Sequence, residues 1–340
     1  SKIITVKDIE TVISKTLNIP AVTVAADDAE QLKTLEINLK KHIFGQDKAI
    51  ESLCSGVKMA KAGLRDHEKP LGSYLFAGPT GTGKTELARC LANLCSMELI
   101  RFDMSEYMEA HTVSRLIGSP PGYAGHDKGG ILTDAIEKSP YAVVLFDEIE
   151  KAHPDIYNLL LQIMDYGKLT DTMGKTVVFS HAIIIMTANS GAQEYSKSKI
   201  GFGNDPKFGE REALKVVEST FSPEFRDRLD MVIMFNPLSD EVISKIIDKS
   251  VSELQEQLAD KKVSLEINKD ARDFLSDMAF GEKNSGGARM LEREVDRRLR
   301  QKIADEILFG ALKKGGHVIV GFDDNELTLE YSAASVSSEA

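Results

Sequence analysis

The chain has 340 residues, 42% of them hydrophobic and 28% charged, with a formal net charge of −11. These fractions belong to a soluble globular protein long enough for one large domain and a smaller one, or for two or three domains. The acidic balance argues against a fold that wraps nucleic-acid backbone, which needs a dense basic face, so no nucleic-acid partner is expected.

The longest apolar runs, YAVVLF and HAIIIM, are strand-sized and too short to span a bilayer, so no membrane partner is expected either. Cys54, Cys90 and Cys95 lack His partners at metal-ligand spacing. They read as buried thiols of a reducing, cytoplasmic compartment. The opening SKIITVKDIETVISKT has neither Met nor a secretory leader and reads as the interior of a longer protein.

In chain order, residues 1–27 form an amphipathic stretch ending in the linker-like NIPAVTVAADD. Helical patterns follow from about Asp28 to Lys41 and from about Gln46 to Ala62. Strands and helices then alternate. GSYLFAG is a strand that stops at Gly78, and KTELARCLANLC is a helix. ELIRFDM and AVVLFDE are strands, the second so apolar that it belongs inside a parallel sheet. HPDIYNLLLQIMDYG is a helix opened by Pro154 and closed by Gly167, and HAIIIMTAN is a third buried strand.

The alternation predicts an α/β fold, a doubly wound parallel sheet with helices on both faces, over residues 28–237. Residues 238–331 read as a smaller, mostly helical α+β domain, with two long helices and the closing strands HVIVGF and ELTLEY. Residues 332–340, SAASVSSEA, read as a disordered tail.

The strongest chemical signal is GPTGTGKT: Gly78, Pro79, Thr80, Gly81, Thr82, Gly83, Lys84 and Thr85. It leaves a strand and opens a helix, the context of a phosphate-binding loop. Glycines let backbone N–H groups turn around phosphates, and the helix N-terminus adds partial positive charge. Lys84 is expected to reach the β- and γ-phosphates, and Thr85 to offer its hydroxyl to Mg²⁺. Asp147 and Glu148 end a buried strand where open α/β sheets bind ligands. Asp147 suits the metal, and Glu148 suits polarising the attacking water. Asn189, at the end of IIIMTAN, can hydrogen-bond both a γ-phosphate oxygen and that water. ATP and Mg²⁺ are the expected cofactors.

These features in this order resemble the AAA+ P-loop NTPases. The resemblance implies that Arg228 of FSPEFRDRLD is an arginine finger given to a neighbouring subunit, with Arg226 the weaker candidate. It implies that Arg289 of GGARMLERE is a second sensor arginine carried by the small, lid domain. Either could instead be a surface ion pair. HIFGQDKAI is similar to the segment lining the adenine pocket in Clp-type members, with Ile43 and Phe44 flanking the base.

GSPPGYAGHDKGG resembles their substrate-gripping pore loop: Gly122, Tyr123, Ala124 and Gly125, with Ala124 where the family usually has Val. Tyr123 is the gripping aromatic or, alternatively, an anchor for its own loop. Residues 1–27 resemble the remnant of a linker between two ATPase rings. The match points to the second ATPase module of a two-ring Clp unfoldase, assembled as a homo-hexamer.

KIGFGN places Ile200, Gly201 and Phe202 on an otherwise polar stretch. It resembles the loop by which ClpA-type members dock on the ClpP peptidase and which ClpB disaggregases lack. The alternative folds that segment back onto its own domain. The expected activity is ATP-driven unfolding and threading of unfolded or tagged proteins into ClpP, with no peptidase chemistry in the chain itself, since neither HExxH nor GxSxG occurs. The competing readings are a ClpB-like disaggregase, an ATP-switched scaffold that does not turn over, and a DNA-loading AAA+ protein.

Overall fold

Three apolar hexapeptides, GSYLFA, AVVLFD and IIIMTA, are buried along their whole length and fix the middle of the large sheet. The computed structural model describes residues 27–118, 129–189, 214–280 and 287–333. Its chain divides into two compact units, the first running to Asn236 without Thr80–Thr82 and the second made of Thr80–Thr82 and the chain from Pro237. In the first unit the strands are β1 (Gly72–Ala77), β2 (Glu98–Asp103), β3 (Ala142–Asp147), the short β4 (Lys168–Thr170) and β5 (Thr176–Val178), β6 (Ile183–Ala188) and β7 (Met231–Met234). Five of them form one parallel sheet in the order β2-β3-β6-β1-β7, and β4 pairs with β5 as a separate hairpin.

Successive residues of a strand point to opposite faces, and here each face has its own core. Leu75 and Ala77, Val144 and Phe146, and Ile184 and Met186 pack on one side. Tyr74 and Phe76, Val143 and Leu145, and Ile183 and Ile185 pack on the other. Each Val, Leu, Ile, Phe or Met among them contributes about 1.5–3 kcal/mol on burial. A one-residue register slip would exchange the two sets, so the pairing is strongly specified.

Helices α1 (Asp27–His42), α2 (Asp47–Lys61) and α3 (Lys84–Leu94) supply Leu35, Leu39, Leu53, Leu87 and Leu91 to the second core. Helices α4 (Ala110–Ile117), α5 (Ile131–Lys138) and α6 (Pro154–Tyr166) supply Leu116, Ile136, Leu160 and Ile163 to the first. The sheet is therefore covered on both faces, as a doubly wound fold requires. Helix α6 starts as its sequence indicates: His153 caps the Asp155 N–H, Pro154 follows, and Gly167 ends it with φ of 57°.

Helices α4 and α5, the β4–β5 hairpin and strand β7 are elements of this unit that were not anticipated from sequence. Strand β7 has only four residues, but Asp230 just before it accepts from Ser73 N–H at 2.7 Å and pairs with Arg65, fastening it beside β1. The β4–β5 hairpin turns through Gly174 at φ of 81°.

The second unit holds α8 (Asp240–Ala259), β8 (Val263–Ile267), α9 (Lys269–Phe280), α10 (Gly287–Val295), a π-helical turn at Asp296–Arg300, α11 (Gln301–Leu308), β9 (Gly316–Asp323) and β10 (Glu326–Ala333), after a short α7 (Pro223–Asp227) in the first unit. Its sheet runs β10-β9-β8, antiparallel between β9 and β10 and parallel between β8 and β9.

The sequence reading found β9 and β10 and missed β8 and α9. What reads as one long helix after residue 286 carries a π turn midway. There the buried Glu294 accepts from Arg297 Nη2 and Arg298 Nε, each at 2.9 Å. The Arg298 hydrogen bond is the main reason its carboxyl lies below the usual range, against the opposing effect of burial. Among the described residues no helix is long and apolar enough to cross a membrane.

Candidate functional site

At the C-terminal end of β1 the chain turns through Gly78, Gly81 and Gly83, with φ of 150°, 78° and 98°. Side chains rarely adopt these angles, and at Gly78 space is absent as well: a Cβ would come within 2.4 Å of Phe235 O. Gly83 then occupies the N-cap position of α3, so the first N–H groups of that helix face the turn.

Lys84 is only 6% exposed, and its ammonium donates to Gly78 O at 2.8 Å and Pro79 O at 2.7 Å. Burial pushes its pKa down to about 8, opposed by the negative charges of Glu150, Asp147 and Glu148. Thr80, Gly81 and Thr82 complete the turn, with Thr82 buried.

Asp147, at the end of β3, is the centre of a hydrogen-bond network. Thr85 Oγ1 donates to Asp147 Oδ1 at 3.1 Å, and Thr187 Oγ1 donates to the same oxygen at 2.5 Å. Arg101 Nη2 donates to Asp147 Oδ2 at 2.6 Å. Glu148 follows in the left-handed region, at φ of 59° and ψ of 50°, a conformation that costs a non-glycine residue on the order of 1–3 kcal/mol. Its N–H donates to Thr187 Oγ1 at 3.0 Å.

Both oxygens of the Glu148 carboxylate are engaged: Asn189 Nδ2 donates to Oε1 at 3.2 Å, and Lys151 Nζ lies 2.5 Å from Oε2. Asn189 is itself held by its N–H, which donates to Glu150 Oε1 at 3.1 Å. The Gly78–Thr85 turn, Asp147, Glu148 and Asn189 thus meet at the C-terminal ends of three adjacent parallel strands, where such sheets bind ligands.

The Thr85 hydroxyl and the Asp147 carboxylate are hard oxygen donors, the kind Mg²⁺ takes. Among the described residues no group of three or more His, Cys, Asp or Glu gathers as a metal cage. That donor set fits an ion that keeps waters and shares its remaining positions with phosphates.

Ile43 is buried beside the turn, its Cγ2 lying 3.7 Å from where a Cβ on Gly83 would sit, and Phe44 is half-buried. Arg228, at the C-cap of α7, lies outside the hydrogen-bonded cluster: its Nε is 2.5 Å from Asp165 Oδ1. Arg226 pairs with Glu218. Arg289 is exposed on α10 of the second unit. The loop of Gly122, Tyr123, Ala124 and Gly125 and the tripeptide of Ile200, Gly201 and Phe202 lie outside the described residues.

Five residues of the neighbourhood were missed from sequence: Gln46, Arg101, Glu150, Lys151 and Thr187. Gln46 is 2% exposed, and its amide exchanges bonds with Asn236, accepting at 3.0 Å and donating at 2.9 Å. Arg101 and Thr187 had a signal that could have found them. For Thr187 it is a polar residue inside an otherwise apolar strand near its C-terminal end; for Arg101 it is only a charge between Ile100 and Phe102, in a strand that also carries Glu98 and Asp103.

Comparison with known proteins agrees with this geometry. Residues 69–232 match the family model of an AAA domain of the Cdc48 subfamily, and residues 238–320 match the C-terminal, D2-small domain of ClpB protein. A "ClpA homolog protein" of Fuscovulum blasticum is 52% identical over 329 residues, covering 97% of this chain and 41% of that protein. A "Chaperone protein ClpB" of Meiothermus ruber is 41% identical over 98% of this chain and 39% of its own length. The ClpB of Clostridium perfringens is 43% identical over 95% and 37%. The chain therefore spans about two-fifths of the length of these relatives.

Proposed function

The chain belongs to the Clp-type AAA+ ATPases, as a second ATPase module with its small domain, and from that premise we propose a protein unfoldase and translocase that feeds the ClpP peptidase. The observation that carries its chemistry is the bonded series Thr85–Asp147–Thr187–Glu148–Asn189 beside a phosphate-binding turn. In this reading the N–H groups of Gly81 to Thr85 and the Lys84 ammonium bind the β- and γ-phosphates of ATP. Thr85 and Asp147 hold Mg²⁺, which when bound offsets phosphate charge.

Glu148 accepts a proton from the attacking water, and Asn189 orients both Glu148 and the γ-phosphate. Ile43 and Phe44 flank the adenine. Arg228 reaches a neighbouring subunit's nucleotide, and Arg289 adds a second guanidinium from the small domain, each offsetting charge on the transferring phosphoryl group. The assembly is a cytoplasmic homo-hexamer whose Tyr123 loops grip unfolded or tagged polypeptide.

The peptidase partner is supported by the sequence at Ile200-Gly201-Phe202: two apolar side chains flanked by Lys197, Lys199, Asn204 and Asp205. Fully exposed, each forfeits roughly 1.5–3 kcal/mol of burial, which a pocket on another protein would recover. Several such loops on one ring add through effective concentration. The second reading, a disaggregase without a peptidase, is favoured by the ClpB relatives and the ClpB-type small domain.

One experiment separates them. The full-length two-ring protein, loaded with a slowly hydrolysed ATP analogue, is expected to co-sediment with ClpP. Phe202→Ala should lose that association and degradation of a folded tagged substrate, while keeping ATP turnover. A parent that never associates with ClpP would establish the disaggregase reading. Degradation at the parental rate by Phe202→Ala would show that this loop is not the dock.

A further inference from the structure

Asp147 is 5% exposed, and burying a carboxylate so deeply is costly unless donors and a cation lie beside it. Thr85 and Thr187 are neutral donors. The cation in direct contact is Arg101, whose Nη2 lies 2.6 Å from Asp147 Oδ2. Arg101 stands on the edge strand β2 opposite Leu145, and in a parallel pair that places it on the face occupied by Asp147 two residues later.

The rest of its surroundings differ from those of a structural arginine. Its side chain is 41% exposed against 7% for Asp147, and it holds the carboxylate through one N–H rather than the two-bond fork that makes such pairs rigid. With a second cation to take its place beside Asp147, a guanidinium so placed can swing into water for little more than the cost of breaking a surface ion pair. The oxygen it occupies belongs to the carboxylate assigned above to Mg²⁺.

We propose that Arg101 is a resident counter-cation for Asp147: it holds the carboxylate in the metal-free site and yields it to Mg²⁺, and so sets how much Mg²⁺ nucleotide binding demands. This rests on the reading of Asp147 as a metal ligand. Arg101 is a positioning residue, acting through Asp147. Competition for one carboxylate makes the sign definite: removing the resident cation should ease metal entry, whereas a merely orienting arginine would hinder it when removed.

The test follows binding of a fluorescent ATP analogue through a Mg²⁺ titration, with thermal unfolding in parallel, for the full chain and its variants at Arg101 and Asp147. In Arg101→Met the Mg²⁺ concentration for half-maximal binding should fall about fivefold, the scale of a partly exposed ion pair. Arg101→Lys, which keeps the charge, should stay near the parent. Without Mg²⁺, Arg101→Met should unfold at a lower temperature than the parent, and that deficit should vanish with saturating Mg²⁺ and nucleotide. Should the Met variant fail to fold, Arg101→Gln, which keeps an N–H donor, carries the same readout.

An unchanged or raised Mg²⁺ demand, with a deficit that persists in the loaded protein, would make Arg101 a fixed structural ion pair and overturn the proposal. Asp147→Asn should by itself raise the Mg²⁺ demand steeply. If it does not, Asp147 is no metal ligand, and the underlying reading falls together with the proposal.

Discussion

Lys84 shows how a single buried charge links the site to its ligand. Desolvation lowers its pKa to about 8, whereas in the unfolded chain it titrates near 10.5. Between those values the folded protein holds fewer protons than the unfolded one, so this group makes stability rise with pH from about 8 to 10.5. Below that window Lys84 is charged in both states, and the full cost of burying the ammonium is present. Bound phosphates reverse the preference, since they favour the charged form. Through Lys84, ATP affinity should therefore be insensitive to pH below about 8 and weaken progressively above it, where binding is accompanied by proton uptake. Calorimetric titration at pH values on either side, in buffers of different ionisation heat, reads this directly. A pH-independent affinity without proton uptake would contradict it.

At this scale the sequence disclosed the residues whose chemistry is carried by a local motif: Lys84 and Thr85 by the glycine-rich turn, Asp147 and Glu148 by their place after an apolar strand. It did not disclose Arg101, Thr187 or Glu150. Their importance depends on which strands lie side by side: β2 and β6 flank β3, an order that no local pattern encodes.

Among the elements, the junction between β1 and α3 is the most constrained. Gly78 combines φ of 150° with a backbone oxygen 2.4 Å from its would-be Cβ, whereas Gly174 in the β4–β5 turn has φ of 81° and nothing within 4 Å. Gly174→Ala should cost only backbone strain, about 1–2 kcal/mol. Gly78→Ala adds a clash with the segment after β7 and should cost about 3 kcal/mol or more while weakening nucleotide binding. Thermal unfolding of the two variants compares these costs, and equal losses would refute the steric account.

The long buried strands and the capped α6 were legible because their periodicity and capping residues agree. Strand β7 was not, because its four residues follow the turn-like FRDRLD and precede Pro237. Strand β8 alternates buried and exposed residues, but its VSLEI is only five residues long and directly follows a strong helical pattern. The π turn leaves no mark in a hydrophobic pattern that continues through it.

At the scale of the whole molecule, the order of the parts was readable from the chain: phosphate turn, acidic strand end, polar strand end, then a second unit built mainly of helices. That order carried the family resemblance, and the matched domains agree with it. The proposed subunit boundary, ring and peptidase are not encoded by any contact within one chain. They rest on the resemblance and, for Ile200 and Phe202, on two apolar residues in a polar stretch; in the proposed reading the partners of Tyr123, Ile200, Phe202 and Arg228 are other polypeptides.

The central claim is that this module hydrolyses ATP through Glu148 at a site where Lys84 binds it. The most direct test measures nucleotide affinity and steady-state phosphate release for the assembled parent, Glu148→Gln and Lys84→Ala. Glu148→Gln preserves shape and the Asn189 contact but cannot take a proton, so ATP should bind with near-parental affinity while turnover falls by about a hundredfold or more. Lys84→Ala should weaken binding itself. Phosphate release by Glu148→Gln at the parental rate, with assembly confirmed, would contradict the account.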